Sequence, residues 1–307
     1  MTNLPLAGVR VLDMGQVVSV PFCGQLLAWM GAEVILLETS KHTTARGSPP
    51  FAYGIRGLDT SGTANMLATS KRSCTIDVSD RRGLELARGL VMVSDVIMDN
   101  FATKTMPKLG LSYPDLRRLK PDIIAMSLGA FGRTGPLKDY IGLHSAVNLF
   151  SSVGEFTKYR PEDRPRIMGT ILPDPLSGTA ACLAILQALF YRKRTGQGQL
   201  IDVSMAEVFV QMIPDMVAEY NRSGRQFETL GNHDAYRAPH NVYKCKGKDA
   251  WVAIVVETEE EWRSLCSVIG ETLEEDDPRF ADLDNRWNHQ DNIRLSTRLM
   301  RVMGGGP

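Results

Sequence analysis

A carboxylate held between two prolines is the feature of this sequence best placed to do chemistry: Leu172-Pro-Asp174-Pro-Leu-Ser-Gly178, at the head of an apolar stretch. The flanking prolines restrict the backbone around Asp174 on both sides, and a helix N-terminus favours its ionised form. The plain reading is an N-cap, with Pro175 at the first helical position. An anionic group presented to a ligand is the other. A second set of residues lies in loops. Met14-Gly-Gln-Val-Val-Ser19, Glu38 with the polar loop to Arg46, Asp99-Asn100-Phe101, and Gly129-Ala-Phe-Gly-Arg-Thr-Gly-Pro136 each follow an apolar run. Glycine-rich turns with Asn, Ser, Thr and Arg suit a phosphate-bearing ligand, whose oxygens take backbone N–H groups and a cation. The first turn is not a GxGxxG fingerprint, because Val17 stands where the second glycine would follow Gly15. Nor is there a GxxxxGK[ST] loop.

The elements that must position these residues follow from hydrophobic periodicity. Val9–Asp13 and Glu33–Leu37 read as strands around a helix over Pro21–Met30, which makes a βαβ unit with parallel strands. Cys74–Val78, Asp95–Met98 and Ile123–Leu128 read as further strands. Arg81–Met92, capped by Asp80, and Tyr113–Leu119 read as helices. Unbroken apolar strands suit a parallel sheet covered on both faces. Residues 139–173 look irregular. Beyond them come a helix over Pro175–Lys193, a strand over Leu200–Val203, and a helix over Met205–Tyr220 kinked at Pro214. The fold class is therefore α/β, an open, mostly parallel, Rossmann-like sheet. A smaller second unit begins near residue 225, with a hairpin of Val242–Cys245 and Trp251–Val256 and a helix over Glu259–Ile269 capped by Thr258. Residues 288–303 read as a closing helix with no strand after it, so the expectation is a second domain truncated at its C-terminal end.

Composition narrows the function. The 307 residues carry 35 Lys+Arg against 35 Asp+Glu, which argues against a nucleic-acid partner recognised through a broad basic surface. The N-terminus lacks an export pattern, and the apolar run Leu176–Phe190 falls short of the ~20 residues needed to span a bilayer. Five scattered cysteines without a CxxC pair and five histidines without close ligand spacing predict neither a disulfide framework nor a metal site. A soluble, cytoplasmic protein is expected, with no membrane partner.

Together the pieces resemble the class III coenzyme A transferases, the group that includes formyl-CoA and carnitine-CoA transferases. The segments that carry the resemblance are Leu6-Ala-Gly-Val-Arg-Val-Leu-Asp13, Gly31-Ala-Glu-Val-Ile35, Lys71-Arg-Ser73, Asn100-Phe101 with Leu109-Gly-Leu111, Phe131-Gly-Arg-Thr-Gly-Pro136, Asp174 with Ser177-Gly178, and Arg194-Thr-Gly-Gln-Gly198 before Ile201-Asp-Val-Ser204. They stand in the family's order, and Tyr243-Lys-Cys245 with Trp251 extends the match. The resemblance implies a large CoA-binding domain over 1–225, a small domain over 226–307, and a homodimer of interlocked chains. It also implies that Asp174 is a nucleophile, that a coenzyme A thioester and a small carboxylic acid are the substrates, and that no cofactor is permanently bound. For CoA contacts it points to Val17, Val18 and Ser19 after the first strand, to Asn100 and Phe101, and to Lys108 near phosphate. Lys104 is a substitute for the charge lost where Ala102 replaces a frequent Arg. Val18 replaces a polar residue of formyl-CoA transferase, and Thr39 replaces a basic one. Arg46 and Arg133 stand between site and surface, and the plain reading of each lysine is a solvated charge.

Two alternatives remain. The α-methylacyl-CoA racemases are similar and pair the aspartate with a His in a Gly-His-Asp segment, since racemisation needs an acid and a base on opposite faces of the α-carbon. Here the segment reads Gly142-Leu143-His144-Ser145, one place out and without the Asp. His144 is therefore read as structural and the transferase is favoured. The other alternative is an inactive, truncated CoA-binding protein. Met212, Met216 and Tyr220 read as core, while Val217-Ala-Glu-Tyr220 resembles the carnitine-type branch.

Overall fold

The structure is a computed structural model that describes residues 4–41, 45–166, 171–226, 228–245, 248–269 and 277–290. Its first strand–helix–strand unit is β1 (Arg10–Asp13), α1 (Ser19–Trp29) and β2 (Glu33–Glu38). Next come α2 (Gly62–Leu67), β3 (Arg72–Thr75), α3 (Arg81–Met92), β4 (Val96–Asp99), α4 (Thr105–Lys108), α5 (Tyr113–Leu119) and β5 (Ile124–Gly129). They are followed by α6 (His144–Phe150), α7 (Pro173–Thr195), β6 (Leu200–Ser204), α8 (Met205–Val210) and α9 (Pro214–Ser223). Among the described residues these strands form a six-stranded, wholly parallel sheet in the order β3-β2-β1-β4-β5-β6. Chain order reverses between β1 and β4, and in such sheets the crevice outside the strand ends at that point is where ligands bind.

The apolar runs make buried strands because successive side chains leave a strand on opposite faces. Val11, Val96, Met98, Ile124 and Met126 enter one core. Leu12, Ile97, Ile123 and Ala125 enter the other. Helices α1, α7 and α8 supply the first core, and α3 and α5 the second. β3 is the edge strand beside β2, short and largely exposed, which is why its expected reach to Val78 is cut to Thr75.

Four differences from the sequence expectations matter. α1 begins at Ser19, so Ser19 is helical rather than part of the preceding loop. α7 begins at Pro173, with Leu172 as N-cap, which places both prolines and Asp174 inside its first turn; Asp174 is not the cap. The stretch expected to be irregular contains α6, a short helix without acidic, lysine or arginine residues and without a side-chain cap, hence without a start signal. The expected kinked helix over Met205–Tyr220 is two helices, because Pro214 opens α9 instead of bending α8. α9 buries none of its residues, and Met212 and Tyr220 are exposed, so the core reading of that stretch is corrected.

Residues 4–154 and 171–225 form one compact unit. Residues 155–166 and the described residues between 226 and 290 form the other. The second contains the antiparallel hairpin β7 (His240–Lys244) and β8 (Trp251–Val255), then α10 (Glu259–Ile269) and α11 (Leu283–His289). Its core is Val256, Trp262, Cys266 and Phe280. The buried Arg286 guanidinium pairs with Glu259 and lies 5.0 Å over the Trp262 ring. Thr258 caps α10 through the Glu261 amide. Of the helix expected over 288–303, all beyond residue 290 lies outside the described residues, as do 246–247 of the hairpin turn.

Candidate active site

The site is built outward from the end of β1. There Asp13 is fully buried and accepts from the equally buried Lys71 ammonium at 2.8 Å. Lys71 also donates to the Pro21 carbonyl at 2.6 Å, which ties the first turn of α1 to the strand end. The other Asp13 oxygen takes the Gly15 amide at 2.9 Å and starts the loop. Asn100, just past the end of β4, clamps that loop across the crevice. Its Oδ1 accepts from the Gln16 amide at 2.7 Å, and its Nδ2 donates to the Gln16 carbonyl at 2.8 Å and the Ser19 hydroxyl at 3.3 Å. Between the clamped residues Val17 sits at φ +62°, a left-handed conformation strained for a β-branched residue and kept only by its surroundings.

This clamped loop delivers Ser19 to Asp174. α1 and α7 pack closely because position 178 is glycine. A Cβ there would lie 2.5 Å from the Ser19 carbonyl oxygen and 3.4 Å from the Cys23 amide nitrogen. In consequence the Ser19 amide donates to the Asp174 carboxylate, which thus lies at the N-termini of both helices, where the peptide dipoles favour negative charge. Asp174 is only 8% exposed. Burial pushes its carboxyl above the ordinary range, and the Ser19 amide and the His144 imidazole only partly offset this. His144, the first residue of α6, places Nδ1 4.0 Å from Asp174 Oδ2. His144, read from the sequence as structural, thus stands beside Asp174 although the sequence motif is one place out. Neither the local sequence nor the motif signals this, since α6 itself was not legible.

Two cavities flank the crevice. One, of about 380 Å3, is lined by Asn100, Phe101, Lys104, Arg133 and Lys138 among others. Arg133 reaches it while its guanidinium pairs with the buried Asp99 at 2.5 Å, and its Nε is buried without a hydrogen-bond partner. Lys104 is exposed and 3.7 Å from Asp139. Lys138 is a cation the sequence reading passed over, in a loop with no motif of its own. The second cavity, about 290 Å3, lies beyond β2 and is lined by Gly15, Gln16, Thr39, Arg46 and Ser73 among others. Arg46 is forked onto Glu38 there, at 2.7 and 2.8 Å. Val18 is buried at the start of α1. Lys108, exposed at the end of α4, lines neither cavity. Thus Ser19, Asn100 and Asp174 come together with Val18 at the start of α1, Phe101, Lys104 and Arg133 gather in the first cavity, Arg46 lines the second, and Lys108 stands apart.

The profile of CoA-transferase family III matches residues 6–304. The chain belongs to CoA-transferase family III. Similar proteins include the succinyl-CoA--D-citramalate CoA-transferase of Chloroflexus aurantiacus, 34% identical over 93% of this chain and 70% of that protein. The succinate--glutarate CoA-transferase of Agrobacterium fabrum is 33% identical over 97% of this chain and 75% of that protein. Among solved structures, a CAIB/BAIF family protein from Brucella suis superposes with a TM-score of 0.84 at 28% identity, covering 97% of this chain and 79% of that one. As a family III CoA-transferase the chain is an enzyme that transfers coenzyme A between an acyl-CoA and a carboxylic acid. No helix among the described residues is long and apolar enough to cross a membrane.

Proposed function

We propose that Asp174 is the nucleophile of this transfer, acting on succinyl-CoA or a similar short acyl-CoA, with a small dicarboxylic acid as acceptor. The observation that carries the reading is a nearly buried carboxylate at two helix N-termini beside the crevice, held there by the Ser19 amide. Poor solvation makes such a carboxylate more basic and a better nucleophile than one in water. Its attack on the thioester carbonyl forms an acyl–oxygen bond and breaks the carbon–sulfur bond, and the electron pair leaves on sulfur. The mixed anhydride retains the activation that hydrolysis would discard: the thiolate returns to the Asp174 carbonyl and expels the donor acid. The acceptor carboxylate displaces the thiolate from Asp174 to form a second anhydride, and the thiolate then takes the acceptor acyl group and frees Asp174. The positive ends of α1 and α7 face the oxyanions that develop. Lys104 and Lys138, exposed on the cavity that Arg133 also lines, suit the phosphates of the coenzyme. Asn100 shapes the loop over which Val17 and Ser19 meet the ligand. The succinyl donor and dicarboxylic acceptor are supported by what the similar proteins are named for. The reading includes a homodimer, a large domain ending near Arg225 and a smaller one from Gln226; light scattering in solution tests the dimer.

The deciding experiment is incubation with succinyl-CoA and a panel of acids, with mass analysis for new acyl-CoA species. Exchange that disappears in a folded Asp174→Ala variant is the expected result, and undiminished exchange removes Asp174 from the reaction.

His144 beside Asp174 is the observation that favours the racemase-like reading. Against it stand the one-place offset of Gly142-Leu143-His144 with its missing Asp, and the match to a family of CoA-transferases. Deuterium entering the α-carbon without acid exchange would reverse this preference.

A further inference from the structure

The Ser19 amide is one donor to a carboxylate that can accept about four hydrogen bonds and has lost most of its water. Some other charge must compensate if the ionised form is to persist. We infer that His144 is the positioning residue of the transfer. Its imidazole, 4.0 Å from the carboxylate, favours the ionised, attacking form of Asp174 and remains beside the negative charge as that charge passes to sulfur. The inference rests on the reading of Asp174 as nucleophile.

Distance and exposure support this role. At 4.0 Å the imidazole is too far for a hydrogen bond, so the Oδ2 lone pairs stay free to attack, yet near enough for strong attraction in a water-poor site. The His144 side chain is 34% exposed against 11% for Asp174, so it stands nearer the side from which a ligand arrives. The attack transfers no proton. One negative charge leaves the carboxylate and one appears on the thiolate, and a cation beside the path is near both. When the acceptor acid enters, two anions share the site and the same cation offsets one of them.

The neighbouring elements offer no rival partner at that distance. α6 packs against α7 and α8 and has no other ionisable residue of its own. α7 carries Asp174, then Cys182 and, far along, Tyr191, Arg192, Lys193 and Arg194. α8 carries Glu207, which is exposed and has its amide capped by Ser204. Among the described residues, Asp174 is the acidic group within ion-pair distance of His144.

The test uses the full chain and succinyl-CoA, following acylation of Asp174 in a single turnover by rapid quench and peptide mass across a pH series. His144→Gln is expected to slow acylation by about 10- to 100-fold, the scale of losing a charged partner. It should also move the acid limb of the profile to higher pH, because the buried carboxylate then holds its proton more tightly. His144→Lys, a permanent cation, is expected to restore most of the rate, return the acid limb, and hold the rate at alkaline pH where the wild type declines. A purely structural role would not move these limbs. Acylation of Asp174 at the wild-type rate and pH profile in His144→Gln overturns the inference and leaves the nucleophile standing. So does a His144→Lys variant no faster than His144→Gln. If His144→Gln does not fold, the alkaline limb of His144→Lys decides: decline in step with the wild type overturns the inference. Absence of any adduct on Asp174 in the wild type would instead remove the nucleophile, and this inference with it.

Discussion

Gly178→Ala isolates the contact that brings the two helices to the reactive carboxylate. A methyl at position 178 would lie 2.5 Å from the Ser19 carbonyl oxygen, where ordinary contact begins near 3.4 Å. The obstacle is backbone, so no rotamer change relieves it, and α1 must retreat from α7 by roughly 1 Å, with overpacking costs of about 1–3 kcal/mol. Replacing a helical glycine by alanine returns about 1 kcal/mol, leaving a net loss of about 0–2 kcal/mol, against the gain expected at an unobstructed site. Because Ser19 is the residue displaced, its amide moves off Asp174, and a misplacement of about 1 Å can lower a rate by about 100-fold. Gly89→Ala supplies the comparison: Gly89 is helical, with nothing within 4 Å of the added methyl, so that variant should gain about 0.5–1 kcal/mol and keep full activity. Thermal unfolding gives the stability arm, at about 2–4 °C per kcal/mol, and coenzyme A exchange gives the other. A Gly178→Ala protein as stable and active as Gly89→Ala would refute the close approach and the dependence of Asp174 on Ser19.

Three further outcomes follow from the same geometry. Lys71→Met leaves Asp13 buried without its cation, and urea denaturation should show a loss of about 3–5 kcal/mol, part of which Asp13→Asn in the same chain recovers; a loss below about 1 kcal/mol would contradict the burial of the pair. Asn100→Ala frees the Gln16–Ser19 loop from its clamp and lets Val17 relax, so stability should fall by about 1–3 kcal/mol and KM for acyl-CoA should rise, whereas an unchanged KM would place the clamp outside ligand binding. Asp174→Asn should raise stability at neutral pH while abolishing exchange. Because burial raises the folded carboxyl above its unfolded value, Asp174's favourable contribution is complete below the ordinary carboxylate range and is lost as pH rises through the folded value. The advantage of the variant should therefore vanish in acid, and an advantage that persists there would reject the assigned cause.

The parallel sheet was legible because its strands are buried on both faces and carry unbroken apolar runs, as in Ile123–Leu128. The Asp80 cap of α3 and the Thr258 cap of α10 were legible from side chains that hydrogen-bond locally. What escaped prediction depended on other parts of the chain. The start of α1 at Ser19 is tied to Lys71 and Asn100, neither of which is near it in sequence. Asp174 looked like a cap because an Asp-Pro pair is an ordinary helix start, and only the extension of α7 back to Pro173 puts it within the first turn. His144 reads as structural from a one-residue offset in a motif, because tertiary packing of α6, which decides where the imidazole points, leaves no mark in the local sequence. Arg46 and Arg133, which the sequence leaves between site and surface, are engaged by Glu38 and Asp99 in the fold.

The clamp between Gln16 and Asn100 joins residues 84 positions apart, and every strand of the sheet pairs through a crossover, not a hairpin. Such long-range pairings form slowly. A chain diluted from denaturant should regain its helical circular dichroism well before it can turn over substrate, so recovery of exchange would serve as the clock for the final docking of α1 against α7.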